Sequence, residues 1–194
     1  VTSLRLLLIL LSVTPLLAKE PVRTWGVDVE LLKYGSGGGV FYRKYVSPKW
    51  GVALETDWTV VTGKDELVGY DYFGRPYKLN SRNLSLWKGV FEIIIYPLYK
   101  SWHPSFQPGL FIGAGPMLAL DTADDSPFFS RWRKVRGYQT LYFRFGGEFH
   151  IIAGKQGVYF LRFGYDYSHF AEPIDERTHF GGIALQAAME FLLP

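Results

Sequence analysis

The stretch Leu141-Tyr142-Phe143-Arg144-Phe145-Gly146-Gly147-Glu148-Phe149-His150-Ile151 alternates apolar and polar residues with a period of two. Its odd positions carry Leu141, Phe143, Phe145, Gly147, Phe149 and Ile151. Its even positions carry Tyr142, Arg144, Gly146, Glu148 and His150. Extended chain sends successive side chains to opposite faces. The segment therefore reads as a strand with one greasy face and one charged face. A soluble sandwich buries the first face and wets the second. A membrane-spanning barrel turns the apolar face to lipid and encloses the charged one.

Seven further runs of this kind flank it. In chain order the eight predicted strands are Thr24 to Lys33, Val40 to Val46, Trp50 to Thr62, Leu84 to Pro97, Phe106 to Leu120, Tyr138 to Ala153, Val158 to Ser168 and His179 to Leu193. Gly35-Ser36-Gly37-Gly38-Gly39 reads as the first connection, and Ser47 to Lys49 as a tight turn. Gly63 to Asn83 and Asp121 to Gly137 are long and polar. Leu98 to Ser105 is shorter, Gly154 to Gly157 is tight, and Phe170 to Thr178 is of middling length. With an even strand count, the chain ends share one side with connections two, four and six, which are the shorter ones. Short turns on one side and longer loops on the other is the arrangement of transmembrane barrels. The fold class expected is all-β: an eight-stranded antiparallel up-and-down transmembrane β-barrel.

On each run one face is bulky and apolar, and the other collects charge. The predicted inward set comprises Asp28, Glu30, Arg43, Glu55, Asp57, Lys88, Glu92, Arg144, Glu148, Arg162, Asp166 and Glu190. Arg43 and Lys44 are adjacent, so Arg43 is placed inside and Lys44 at the interface. Such a set is too charged for a sandwich core, where unpaired buried charge is costly. A barrel of eight strands is narrow and filled by side chains. Its interior is then expected to be an ion-pair network and not an open pore. Inward Gly113, Gly115, Gly146, Gly164 and Gly182 would leave room for long Arg and Glu side chains. Acids outnumber bases in the set, so either some carboxylates hold protons or cations and water enter. Trp25, Trp50, Trp58, Trp87, Trp102, Tyr96 and Tyr99 near run ends suit an interfacial girdle.

The bulk properties agree with this placement. Arg5, the apolar run Leu6 to Leu11 and the small residue Ala18 read as an export signal over residues 1–18, leaving residues 19–194 as the barrel domain. No later stretch has the ~18 unbroken apolar residues of a spanning helix. The chain has no cysteine, so disulfides are excluded. Aromatics make up 18% of it against 20% charged, which favours β structure over disorder. A net charge of +3 is too small to imply nucleic acid.

The arrangement resembles the small eight-stranded outer-membrane barrels, the class of the OmpA transmembrane domain, OmpX and the OmpW-like proteins. Tyr96-Pro97-Leu98-Tyr99 followed by Phe106 to Gly115 is similar to a turn-and-strand passage of that class. The last run, with Phe191, resembles their closing strand, although it ends in Leu192-Leu193-Pro194. The resemblance covers essentially all of residues 19–194. It implies a bacterial outer-membrane location, lipid and lipopolysaccharide as surroundings, handling by the barrel-assembly machinery, and a monomer.

Few residues suggest chemistry. In the lipid A deacylase barrels a His-x-Ser-Asn motif lies at the outer end of a late strand, and His169 sits in a similar place. Ala171 then stands where that family has its nucleophile, and Glu172 where it has Asn. Ser168 adjoins His169, but strand neighbours face opposite ways. No catalytic residue is expected. Gly35 to Gly39 lacks the Lys-Ser/Thr and helix of a phosphate loop. No His/Asp/Glu spacing marks a metal site, and no cofactor is expected. The segment Arg131, Arg133, Lys134 and Arg136 is the one strong charge cluster. On the outer side it could bind lipopolysaccharide phosphates through charge-assisted hydrogen bonds. A structural or surface-interacting role is expected. A narrow pore or an OmpW-like path for small apolar molecules is the alternative.

Overall fold

Alternation carried around a full circle produces a closed sheet. The computed structural model describes residues 22–61, 67–79, 82–98, 106–123, 135–153, 157–174 and 176–193. The strands are β1 (Val22–Leu32), β2 (Gly35–Ser47), β3 (Trp50–Val61), β4 (Leu67–Tyr70), β5 (Pro76–Leu79), β6 (Arg82–Ile95), β7 (Phe106–Ala123), β8 (Arg136–Ala153), β9 (Gly157–Ile174) and β10 (Arg177–Leu192). Eight of them form a closed barrel in the order β1-β10-β9-β8-β7-β6-β3-β2, with every pairing antiparallel. Each strand pairs with its barrel neighbour in sequence, and β1 closes on β10 from Thr24↔Leu192 to Leu32↔Ala184. Closure leaves no edge strand. The fold is the closed eight-stranded antiparallel up-and-down β-barrel expected from the alternation.

The small hairpin β4-β5 interrupts the long connection between β3 and β6. Its turn is held by Asp71. The carboxylate accepts the backbone N–H groups of Phe73 (2.9 Å) and Arg75 (2.7 Å), and Gly74 takes the left-handed φ of 72°. Tyr72 and Phe73 stand at the tip, 98% and 81% exposed.

Two of the predicted connections are strand. Gly35 to Gly39 belong to β2, paired on one side with β1 and on the other with β3. Glycine there serves close approach. A Cβ on Gly35 would lie 2.1 Å from the Val60 carbonyl oxygen, and one on Gly37 would lie 2.2 Å from that of Trp58. Likewise β9 and β10 run through Phe170 to Thr178 to meet near Glu176, whose φ is 60°. The side opposite the chain ends thus has two tight connections and two long ones, within 62–81 and 124–135.

The two faces part cleanly. Apolar side chains are exposed on the outer wall of every barrel strand, for example Val29, Tyr42, Leu54, Ile93, Ile112, Phe145, Phe163 and Ile183. At the chain-end side Trp25 stacks on Phe191 at 4.9 Å. Toward the other side Trp58 meets Trp87 at 6.0 Å. Tyr96, expected in the aromatic girdle, turns inward instead and is buried. Its backbone N–H is tied to the Lys49 carbonyl at 2.7 Å, which fixes it at the mouth of the lumen. Tyr99 and Trp102 lie outside the described residues.

Candidate functional site

Every one of the twelve charged residues placed inward from the alternation is buried in the lumen. The fold joins them in tiers. Nearest the chain ends, Arg43 is held bidentately by Glu148, with Nη2 2.9 Å from Oε2 and Nη1 3.2 Å from Oε1. Its Nη1 also donates to the Tyr45 hydroxyl (3.1 Å), approaches His150 Nε2 (2.8 Å), and lies 3.5 Å from Glu190. Tyr96 donates to Glu148 at 2.7 Å, and Thr24 and Tyr45 donate to Glu190. The Arg43 guanidinium lies 4.6 Å from the Phe160 ring centroid.

Glu148 carries the network to the next tier by accepting Arg162 Nε at 2.6 Å. Arg162 also pairs with Glu92 (2.9 Å) and Glu55 (3.2 Å). Arg144 contacts Glu55 (2.5 Å), Asp57 (3.5 Å) and Glu92. Gln186 donates its amide to Glu55 at 2.6 Å and accepts from Arg162 at 3.1 Å. In the tier beyond, Lys88 pairs with Glu30 at 2.5 Å and lies 3.7 Å from Asp57. Thr59 donates to Glu30, and Tyr34 and Tyr142 donate to Asp166 at 2.5 and 3.3 Å. Charge-assisted bonds of this kind are the strong ones. Most of the cost of burying these ions is offset where an ion is shared among several partners, as Glu148, Glu55 and Glu92 are; Asp28 stands outside this sharing.

Inward glycines shape this interior differently from the expectation. Gly146 and Gly164 make room for a ring and not for Arg or Glu. A Cβ on either would lie 3.0 Å from Phe111 Cζ, and the Phe111 ring in turn lies 4.8 Å from the Arg162 guanidinium. Gly113 does face an acid, since its Cβ would meet Glu92 Cγ at 2.9 Å. On β2, Gly39 has Asp28 as its cross-strand partner on β1 and Asp57 on β3. A Cβ there would lie 2.1 Å from Asp57 Oδ1.

Past Tyr34 and Tyr142 the lumen changes character. Leu84, Leu86, Met117, Phe170, Ile174 and Phe180 form a buried apolar cluster that fills the end opposite the chain termini. Phe180 makes edge contacts with Phe170 (5.7 Å) and Tyr34 (5.6 Å). Sequence reading missed this cap, along with the hydroxyl partners Thr24, Tyr34, Tyr45, Thr59, Tyr96 and Tyr142. Tyr45 and Tyr142 each sit two residues from an inward Arg, and that spacing is a usable signal. Tyr96 continues the parity of inward Lys88 and Glu92, and Tyr34 that of Asp28 and Glu30, so alternation carried over the strand ends marks both as inward.

No hydrolytic pair forms at the late strand among the described residues. Ser168 is buried and donates to the Phe180 carbonyl at 3.3 Å, whereas His169 is exposed on the opposite face. Among the basic cluster, Arg131, Arg133 and Lys134 lie outside the described residues. Arg136 opens β8, exposed and opposite Asp121.

No protein-family model matches the chain. No curated protein matches it either. Solved structures do. A major outer membrane protein from Thermus thermophilus superposes with a TM-score of 0.55 at 12% identity, covering 88% of this chain and 99% of that one. Ail, the attachment invasion locus protein of Yersinia pestis, gives 0.49 at 13% identity over 89% and 97%. The N-terminal β-barrel domain of Pseudomonas aeruginosa OprF gives 0.48 at 10% identity over 90% and 100%. At such identities the likeness is one of fold, and the Thermus barrel is the comparison that carries it.

Proposed function

We propose that the chain is an integral protein of a bacterial outer membrane, exported by residues 1–18, with a lumen that serves as a closed core and not as a conduit. Its work is done at the surface, against outer-membrane lipid and lipopolysaccharide and through the outer loops, as a monomer and without catalysis. The observation that carries this reading is the filling of the lumen by shared ion pairs and an apolar cap. The cavity beside Glu30, Arg144, Arg162 and Gln186 is about 20 Å³, room for roughly one water. The apolar outer wall supports the location, because soluble monomers rarely expose contiguous apolar surface on this scale. The fold supports handling by the barrel-assembly machinery.

Purified protein reconstituted into planar bilayers tests the closed lumen. The expected result is no conductance above the bare membrane; stepwise channels would favour the narrow-pore reading. Heat-modifiable migration in outer-membrane fractions tests the location. The basic segment Arg131, Arg133, Lys134 and Arg136 is assigned to lipopolysaccharide phosphate. Neutralising all four is expected to weaken lipopolysaccharide binding, and unchanged affinity would remove that assignment. An esterase assay on lipid A with His169→Ala as control is expected to show no turnover in either protein.

A further inference from the structure

We propose that the lumen binds one hard divalent cation, calcium, between Asp28, Glu55 and Asp57. One carboxylate oxygen from each of these residues lies within 4.8 Å of the others, and all three are buried. Calcium takes oxygen donors at about 2.3–2.6 Å, so it spans donors up to roughly 5 Å apart; magnesium, at about 2.0–2.1 Å, spans only roughly 4 Å. A purely carboxylate donor set also selects against zinc and copper.

Independent features point to a ligand there. Neither oxygen of Asp28, 6% exposed, has a hydrogen-bond partner, and the same holds for both oxygens of Asp57, 0% exposed. The contacts of Asp57 with Arg144 (3.5 Å) and Lys88 (3.7 Å) are too long to be hydrogen bonds. A buried carboxylate without hydrogen bonds is costly, and for Asp57 the two more distant cations offset only part of that cost. Gly39 supplies the space. It is the β2 residue between Asp28 and Asp57 in register, and any side chain on it would displace the Asp57 carboxylate. Glu55 is anchored through both oxygens, Oε2 by Arg144 and Arg162 and Oε1 by Gln186, so it is the donor a cation would share with protein partners. Asp28 and Asp57 are the open donors. Among the described residues the lumen carries eight buried carboxylates against four Lys and Arg side chains, so a cation of charge two restores part of the deficit.

The sequence spacing gives no hint of such a site, because the donors come from β1 and from alternate positions of β3. The test uses the whole barrel, refolded in neutral detergent free of lipopolysaccharide and stripped with chelator. Calorimetric titration with calcium chloride is expected to show one ion per folded chain. Asp28→Asn and Asp57→Asn are each expected to weaken binding by about tenfold or more, at least the loss seen on disturbing outer-shell partners of metal sites. Asp71→Asn, on the exposed hairpin, is expected to bind as the wild type does. If neither lumen variant refolds, terbium luminescence on the wild type decides. A lumenal ion keeps few waters when lifetimes in H2O and D2O are compared. No calcium binding by folded wild type, wild-type affinity in both lumen variants, or a fully hydrated terbium ion would each overturn the proposal.

Discussion

Two stretches of one lumen enclose opposite chemistry with the same alternating strands. On the chain-end side, Arg43, Glu148 and Arg162 share hydrogen bonds with tyrosines, a histidine and each other. At the other end Leu86, Phe170 and Phe180 pack as an ordinary apolar core. The strand pattern permits either, since it fixes only which residues point inward. What separates them is partner geometry. Charge occupies levels where a guanidinium can reach two carboxylates and rest on the ring of Phe160 or Phe111. Dispersion and burial suffice where no such partners converge. The ion pairs of the charged stretch each tie particular strands together, whereas the apolar stretch packs without such pairing.

That contrast can be broken at Glu148. Glu148→Ala leaves Arg43 and Arg162 buried without their shared partner. A loss of about 3–5 kcal/mol is expected in equilibrium urea unfolding. Glu148→Gln, which keeps the shape, is expected to lose less. A cost below that of a surface substitution for Glu148→Ala would show that the ion pairs do not organise the barrel. In the cap, Leu86→Ala is expected to cost about 2–5 kcal/mol through a cavity, toward the lower end if the neighbouring Met117 collapses into it. Unlike the Glu148 variant, it should leave refolding register intact, which disulfide trapping between paired Cys substitutions on β6 and β7 can read.

A third measurement sharpens the contrast without substitution. Buried pairs are screened little by salt. Raising sodium chloride from about 0.1 to 1 M should move wild-type stability by less than about 1 kcal/mol, and a steep dependence would place the ion pairs in contact with bulk solvent. The smallest effect is expected outside the lumen. Asp71→Ala removes two backbone-to-carboxylate hydrogen bonds in the hairpin turn, each worth about 1 kcal/mol. Amide exchange at Phe73 and Arg75 should accelerate while the barrel midpoint stays fixed.

The barrel itself was legible because a period of two is a local property. Leu141 to Ile151 carries it without any knowledge of its neighbours, and parity alone places the inward charges except Arg43, which also needs Lys44 to reach the interface. Legibility failed where parity lost meaning. Gly35 to Gly39 has turn composition, yet its role is set by the carbonyls of Val60 and Trp58, which come from another strand. On β6 the inward residues Leu84 and Leu86 are apolar while outward Ser85 is polar, so residue polarity no longer marks the inner face and the cap is invisible to alternation. Asp28 and Asp57 meet only because β2 lies between them with no side chain at Gly39.

The seam between β1 and β10 has a consequence for how the chain reaches this state. Thr24 donates to Glu190 across 166 residues of sequence, and the Leu193 N–H reaches the Arg23 carbonyl at 2.9 Å. Contacts of such separation are slow to form, since chain entropy must be lost before they reward it. Until Leu192 arrives, β1 is an unpaired edge with Trp25, Val27, Val29 and Leu31 along one side, a template for association with other chains. The first strand to be made is thus the last to be satisfied. Assembly of this protein should be limited by the time over which that strand is kept apart from its own kind.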